Sequence, residues 1–181
     1  MNAEIITEFI PESAGWSTAV AEVNEWRGAC TQCFAQTELA VTETLLLLRG
    51  VEVRGAEVSL RHLVGQRLTD LASAIGPGGA FEAEGKIASA ALEQFREHEG
   101  LRTLLGHGSW KVTMARNGKW VLIIRNLSIT KQTEVRFLQV FEQLEASDIL
   151  SQLRKKSQKV CASLDNLQRR LATSAGERAT K

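Results

Sequence analysis

Apolar residues recur at helical spacing in three stretches of the first half of the chain. These stretches run from about 15 to 49, from about 60 to 75 and from about 81 to 105. Residues three and four positions apart lie on one face of a helix, so each stretch predicts an amphipathic helix. Ile87 is expected to face the core from the third helix. Gly106 is expected to end that helix, because glycine is favoured just past a helix C-terminus.

After residue 109 the apolar pattern changes to the period of a strand. Segments 110–114 and 120–125 alternate, and Asn117-Gly118 between them favours a tight hairpin turn. Segment 133–141 also alternates and predicts a third antiparallel strand, since two strands alone are marginally stable in water. An apolar seam beyond it predicts a last helix that starts near Ser147. The seam consists of Leu150, Leu153, Ser157, Val160, Leu164, Leu167 and Leu171.

These elements predict an α+β, predominantly helical fold. It is a bundle of three to four long helices, with a three-stranded antiparallel β-meander at about residues 110–141 inserted before the last helix. A chain of 181 residues fits one domain, which we expect to span residues 1–174. Residues 175–181 are small and polar, so we expect a flexible tail there.

Composition and charge exclude several classes of protein. Hydrophobic residues make up 44% of the chain and charged residues 24%, which is typical of a packed globular protein. The net charge is +1, so any surface that attracts nucleic acid has to be local. The run Leu45–Leu48 is too short to span a bilayer, and the N-terminus lacks the pattern of a secretory signal. We therefore expect a soluble cytoplasmic protein without a membrane partner.

The cysteines do not indicate a metal site. Cys30 and Cys33 have the spacing of a zinc or redox half-site, but zinc needs two more ligands, and Cys161 and His62 show no paired spacing. Two small apolar side chains in the middle of a helix are more typical of a core. The chain also lacks the glycine-rich and serine motifs of nucleotide-binding proteins and hydrolases. We expect no metal and no cofactor.

A basic cluster occurs on the last predicted helix. It consists of Arg154, Lys155 and Lys156, with Lys159 one turn further on. Such a cluster is either a solvated helix face or a local stripe that binds the phosphates of RNA.

An arginine and a histidine lie close together at the predicted end of the third helix. Arg102 and His107 are separated by four residues, and glycines flank the histidine. Five positions of a regular helix turn the chain by about 500°, so the two share a face only if the helix ends between them. An imidazole can move the proton of a 2′-hydroxyl or of a leaving oxygen, and a guanidinium can stabilise charge on phosphorus. The pair therefore suits cleavage of RNA without a metal.

With this motif the segment resembles the Arg-x4-6-His signature of the HEPN superfamily. The resemblance implies a small helical bundle, commonly a homodimer and often a metal-independent ribonuclease of toxin–antitoxin, CRISPR-associated or phage-defence systems. It implies catalytic roles for Arg102 and His107. Thr103 stands where active members usually carry Asn, Asp or His, and its hydroxyl can donate a hydrogen bond.

Two functions stay open at this stage. The first is an RNA-directed, HEPN-like homodimer. The second is a non-enzymatic module that binds a protein partner, for example an antitoxin-like one, and in which Arg102 and His107 only cap the helix. A solvent-open cleft that holds both side chains favours the first function, whereas buried caps or singly exposed side chains favour the second. His98 is either a further site histidine or a surface side chain.

Overall fold

The computed structural model describes residues 14–130 and 133–179, which form an α+β, mostly helical fold. The predicted fold class, with a three-stranded β-meander before the last helix, is confirmed. Within these residues, no helix is both long and apolar enough to cross a membrane. The elements are α1 (Ala14–Arg49), a 3-10 turn (Arg54–Glu57), α2 (Val64–Ile75), α3 (Glu82–Arg96), α4 (Glu99–His107), β1 (Ser109–Met114), β2 (Trp120–Thr130), β3 (Thr133–Glu142) and α5 (Gln143–Ala179).

The two longest helices, α1 and α5, pack along each other. The apolar seam predicted for α5 is its buried face, with Leu153 and Leu164 fully covered. A polar bridge lies within this contact, where the hydroxyl groups of Thr37 and Ser157 are 2.9 Å apart. The Ser157 hydroxyl also donates to the carbonyl of Cys33 at 3.1 Å. Each buried hydroxyl therefore has a hydrogen-bond partner, as close packing of two helices requires.

The last helix is longer than its prediction at both ends. α5 starts at Gln143, directly after β3, rather than near Ser147. It continues to Ala179, through most of the segment 175–181 that was expected to be a tail. Residues 180 and 181 lie outside the described residues.

The third predicted helix is divided in two. α3 ends at Arg96 and α4 begins at Glu99, with a short corner at residues 97–98 between them. The expectation that Gly106 ends the helix is wrong, because the N–H of Gly108 still donates to the Leu104 carbonyl at 2.8 Å.

The core face of α3 also differs from its prediction. Ile87 is 70% exposed, whereas Leu92 and Phe95 are buried. The Phe95 ring meets Phe34 of α1 edge to face, with ring centroids 5.7 Å apart. Since α3 packs against α2 and α5, the residues that face those helices are covered and Ile87 points away from them.

An ion pair between Arg61 and the buried carboxylate of Asp70 fixes the segment before α2. Asp70 of α2 accepts hydrogen bonds from the backbone N–H of Arg61 at 2.9 Å and from its guanidinium Nε at 2.7 Å. Burial opposes ionisation of Asp70, but the hydrogen bonds from Arg61 outweigh it and lower the pKa of the carboxyl group. The segment before α2, which the Arg61–Asp70 pair holds in place, is not helical. α2 therefore begins at Val64, four residues after the predicted start at 60.

The three strands form one antiparallel sheet in the order β1-β2-β3. The predicted hairpin turn is present, and Gly118 adopts a φ of +77°, which favours glycine. Trp120, Leu122 and Ile124 of β2 are buried on the face that packs against the helices, here called the inner face. Because side chains alternate along a strand, the residues between them point to the opposite, outer face.

Candidate functional site

Arg102 is held by a carboxylate of the first helix. Its guanidinium Nε donates to Oε1 of Glu38 on α1, and the two side chains are 34% and 19% exposed. A charge-assisted hydrogen bond of this kind fastens α4 against α1. Glu38 lies 64 residues before Arg102 and belongs to no motif with it, so no signal in the sequence predicts this contact.

His107 lies in the last turn of α4 and is exposed. It borders a groove of about 550 Å³ between the end of α4 and the strands β2 and β3. The other lining residues are Ser109, Arg125, Asn126, Leu127, Arg136, Phe137 and Leu138.

Arg102 and His107 do not share one side of α4. The helix is continuous from Glu99 to His107, so five positions place the two side chains about 140° apart around its axis. Arg102 contacts α1, whereas His107 borders the sheet. Within one chain the predicted catalytic pair is therefore not assembled, because Gly106 does not end the helix between its members.

The groove brings His107 together with two arginines instead. Arg125 follows the buried Ile124 in β2 and so lies on the outer face. Leu127 lies on the same face and pairs with Arg136 of β3, which places that second arginine there as well. Arg125 and Arg136 are diagonal neighbours across the two strands, a spacing that long side chains bridge.

The charges around the groove are open to water. Arg136 donates through Nε to the Glu134 carboxylate, and these side chains are 79% and 53% exposed. Lys111 of β1 is exposed on the same outer face, two residues from Ser109, which pairs with Arg125. The groove can therefore present an imidazole and several cationic groups to one anionic ligand.

Sequence reasoning missed Arg125 and Arg136 as candidate site residues. Neither belongs to a short motif, and they approach each other only through the register of β2 and β3. The available signal was the alternation of β2, which places Arg125 opposite the buried face.

Thr103 and His98 have local structural roles. The Thr103 hydroxyl donates to the Glu99 carbonyl of its own helix at 3.1 Å. His98 precedes α4, and its carbonyl accepts the N–H of Arg102 at 3.1 Å. The ring atom Nε2 of His98 is buried and has no hydrogen-bond partner within residues 14–130 and 133–179. Burial and the Lys156 cation lower the pKa of His98, while Glu97 acts in the opposite direction.

The predicted basic stripe is partly engaged by α3 and its C-terminal corner. Lys156 Nζ is 2.6 Å from Oε2 of Glu97, and Lys159 Nζ donates to Oε1 of Gln94 at 3.1 Å. Arg154 and Lys155 are exposed. These contacts lie on α3 and its corner rather than on the sheet, so the stripe does not line the His107 groove.

The cysteines are free thiols, and Cys30 and Cys33 are buried in α1. Burial, reinforced by Cys33, raises the pKa of Cys30 to about 12, so this thiol stays protonated and unreactive near neutral pH. Across residues 14–130 and 133–179, no group of three or more His, Cys, Asp or Glu side chains is placed to hold a metal ion.

Comparison with known proteins does not assign the chain to a family. No protein-family model, curated protein or solved structure matches it. The geometry and chemistry of the His107 groove are therefore the basis for a function.

Proposed function

We propose that the protein is an HEPN-like, RNA-directed protein that binds single-stranded RNA through the groove at His107. The observation that carries this proposal is the shared lining of His107, Arg125 and Arg136, which offers one imidazole and two guanidinium groups to the same ligand. A chain with a net charge of +1 has no general attraction for nucleic acid, so binding requires a local cluster of this kind. We place this activity in the cytoplasm.

The size and chemistry of the groove favour a single strand. A groove of about 550 Å³ has the dimensions of a small-ligand site rather than of a surface that fits a duplex. Guanidinium groups bind phosphate oxygens in a bidentate manner, and Leu127 and Leu138 supply an apolar wall for an unstacked base. These contacts recognise the backbone and the shape of RNA rather than its sequence.

Cleavage is a second activity that the same groove favours, because its imidazole is exposed beside cations. In this reaction the 2′-oxygen attacks phosphorus, the bond to the 5′-oxygen breaks, and a 2′,3′-cyclic phosphate and a 5′-hydroxyl form. His107 accepts the 2′-hydroxyl proton or protonates the leaving oxygen, and water carries the other proton. Arg125 stabilises the charge on phosphorus, a role that the resemblance assigned to Arg102.

The test compares the binding of a labelled single-stranded RNA by matched arginine variants. Arg125→Ala should weaken binding about tenfold, the size expected for one lost charge-assisted hydrogen bond. It should also reduce the slope of log affinity against log salt by about 0.7, the value for one phosphate contact on a single strand. The control is Arg116→Ala, an exposed arginine in the β1–β2 turn, which should bind like the wild type.

The remaining variants separate binding from cleavage. His107→Ala should reduce formation of the cyclic phosphate by at least about 100-fold while RNA is still bound. Arg102→Ala should leave RNA affinity unchanged, since Glu38 holds that side chain away from the groove. Equal affinity of the wild type and Arg125→Ala, or equal losses in Arg125→Ala and Arg116→Ala, would exclude the groove as an RNA site.

A second candidate function is that of a non-enzymatic protein-interaction module. Arg102 lies in an ion pair with Glu38 and is separated from the exposed His107, which fits the expectation for that function. Exposed aliphatic side chains on the outer face of the sheet also favour it, since patches of this kind often mark protein interfaces.

A further inference from the structure

Strands β2 and β3 extend beyond the three-stranded sheet as a two-stranded ribbon. The last pair between β1 and β2 is Ser109 with Arg125, whereas β2 and β3 continue to pair up to Thr130 with Thr133. The five pairs past Arg125, formed by residues 126–130 and 133–137, are here called the ribbon. A two-stranded ribbon has little stability of its own in water, so a ribbon of this length benefits from a partner.

The outer face of the ribbon carries two large aliphatic side chains and two charges. Leu127 is 59% exposed and Ile129 is 78% exposed, and both belong to β2. Opposite them on β3 lie Arg136 and Glu134, respectively. The β2 side of this face is therefore aliphatic, and the β3 side carries one positive and one negative charge.

We infer that the ribbon docks on the ribbon of a second copy of this chain, outer face against outer face. The proposed two-fold axis runs between the two ribbons, above the central pair Ser128 with Val135, and is parallel to the plane of the sheet and perpendicular to the strands. This axis reverses the strand direction and places β2 over β2 and β3 over β3 of the two copies.

The chemistry of the face is complementary under this symmetry. Arg136 lies over the partner's Glu134, and Leu127 lies over the partner's Ile129. Each contact occurs twice, so the interface contains two ion pairs and two aliphatic contacts. A two-fold axis along the strands would instead stack aliphatic side chains on charges, which carries a desolvation cost without a partner. The arrangement of these four residues thus selects one symmetry.

The area is sufficient for a reversible dimer. From their exposed fractions, these four side chains offer on the order of 500 Å² per copy, or about 1,000 Å² in total, near the lower limit of specific interfaces. We therefore expect a dimer that depends on concentration. Within residues 14–130 and 133–179, the helices pack against the inner face and do not obstruct the approach of the second ribbon.

This inference goes beyond the proposed function and does not depend on it. His107, Lys111 and Arg125 lie outside the stacked rows, since the row of Arg125 with Leu138 precedes the ribbon. Leu127 and Arg136 border both the groove and the stacked face, whereas Arg125 belongs only to the groove, and Ile129 and Glu134 belong only to the stacked face. The RNA affinity of Arg125→Ala and the molecular mass of Ile129→Asp therefore test the two proposals at separate residues.

The first experiment measures molecular mass by light scattering over a concentration series. The wild type should rise from 19.9 kDa toward twice that mass. Ile129→Asp should raise the dissociation constant at least about tenfold, because it buries a carboxylate in an aliphatic contact. Ile87→Asp is the matched control, since Ile87 is 70% exposed on α3, and it should dimerise like the wild type. A wild type that stays monomeric at every concentration would overturn the inference.

The second experiment mixes two charge variants. Glu134→Arg and Arg136→Glu should each be monomeric, because each places like charges across the two-fold axis. A mixture of the two should form a heterodimer, because every charge on one chain then faces its opposite on the other. Mixing the two variants cannot restore the Arg136–Glu134 ion pair within one chain. Recovery of a dimer in the mixture therefore reports only the contact between copies. Monomers in the mixture, or dimers in the single variants, would contradict the proposed stacking.

Discussion

The helices, here called the helical body, bury the kinds of side chain that the ribbon exposes to water. Phe95 of α3 is 1% exposed and packs against Phe34, whereas Phe137 of the ribbon is 48% exposed. Asp70 is a buried carboxylate fixed by an arginine, whereas Glu134 pairs with an arginine in open water. In the body these side chains hold the fold together. In the ribbon they are about half exposed, so the fold gains less from them and binding is the better explanation for their presence.

The largest expected difference between the two regions is in the cost of losing an aromatic ring. Phe95→Ala should lower the free energy of unfolding by about 3–5 kcal/mol, because it removes a buried ring and leaves a cavity. Phe137→Ala should lower it by no more than about 1–2 kcal/mol, because about half of that side chain is already exposed. Urea unfolding of both variants measures the two values. Equal losses would show that the ribbon is part of the core.

A smaller difference is expected between the two carboxylates. Asp70→Ala should lower the free energy of unfolding by about 2 kcal/mol, since it leaves the Arg61 N–H groups without their acceptor. Glu134→Ala should cost less than about 0.5 kcal/mol, because exposed ion pairs contribute little.

Comparison of Asp70→Ala with the wild type also gives a pH test. The lowered pKa of Asp70 adds stability above the ordinary pKa of an aspartate, and that stability is lost as the pH falls through the folded-state value. Unfolding of Asp70→Ala followed over this acidic range should therefore show a shallower loss than the wild type. A parallel pH dependence of the two proteins would contradict the role of the Arg61–Asp70 pair.

The sequence predicted the elements that depend on a local period. The seam of α5 and the alternation of the strands each follow a regular repeat that turns one face toward the core. Both predictions were confirmed. Helix ends were less predictable, because glycine adopts right-handed helical φ as well as the positive φ that ends a helix, and Gly106 does not adopt a positive φ. In α4 the Gly108 N–H reaches the Leu104 carbonyl, so the helix continues.

The candidate site could be predicted only in part for the same reason. His107 was identified from its neighbours in the chain, and the structure places it at a groove. Its companions Arg125 and Arg136 come from two strands that pair at long range, and Glu38, which holds Arg102, comes from another helix. Contacts of this kind depend on register and packing, which no local spacing of residues encodes.

The smallest expected effect concerns His98 at the corner between α3 and α4. Burial favours its neutral ring, Lys156 adds to that preference, and Glu97 opposes it, so the folded protein binds the proton less readily than the unfolded chain. Stability should therefore decline as the pH falls below the ordinary histidine pKa of about 6.5, until the folded state is protonated as well. His98→Gln should flatten this decline, while His62→Gln, at an exposed histidine, should retain it. Thermal unfolding over this pH range measures both slopes, and equal flattening in the two variants would assign the effect to histidine content rather than to the buried ring.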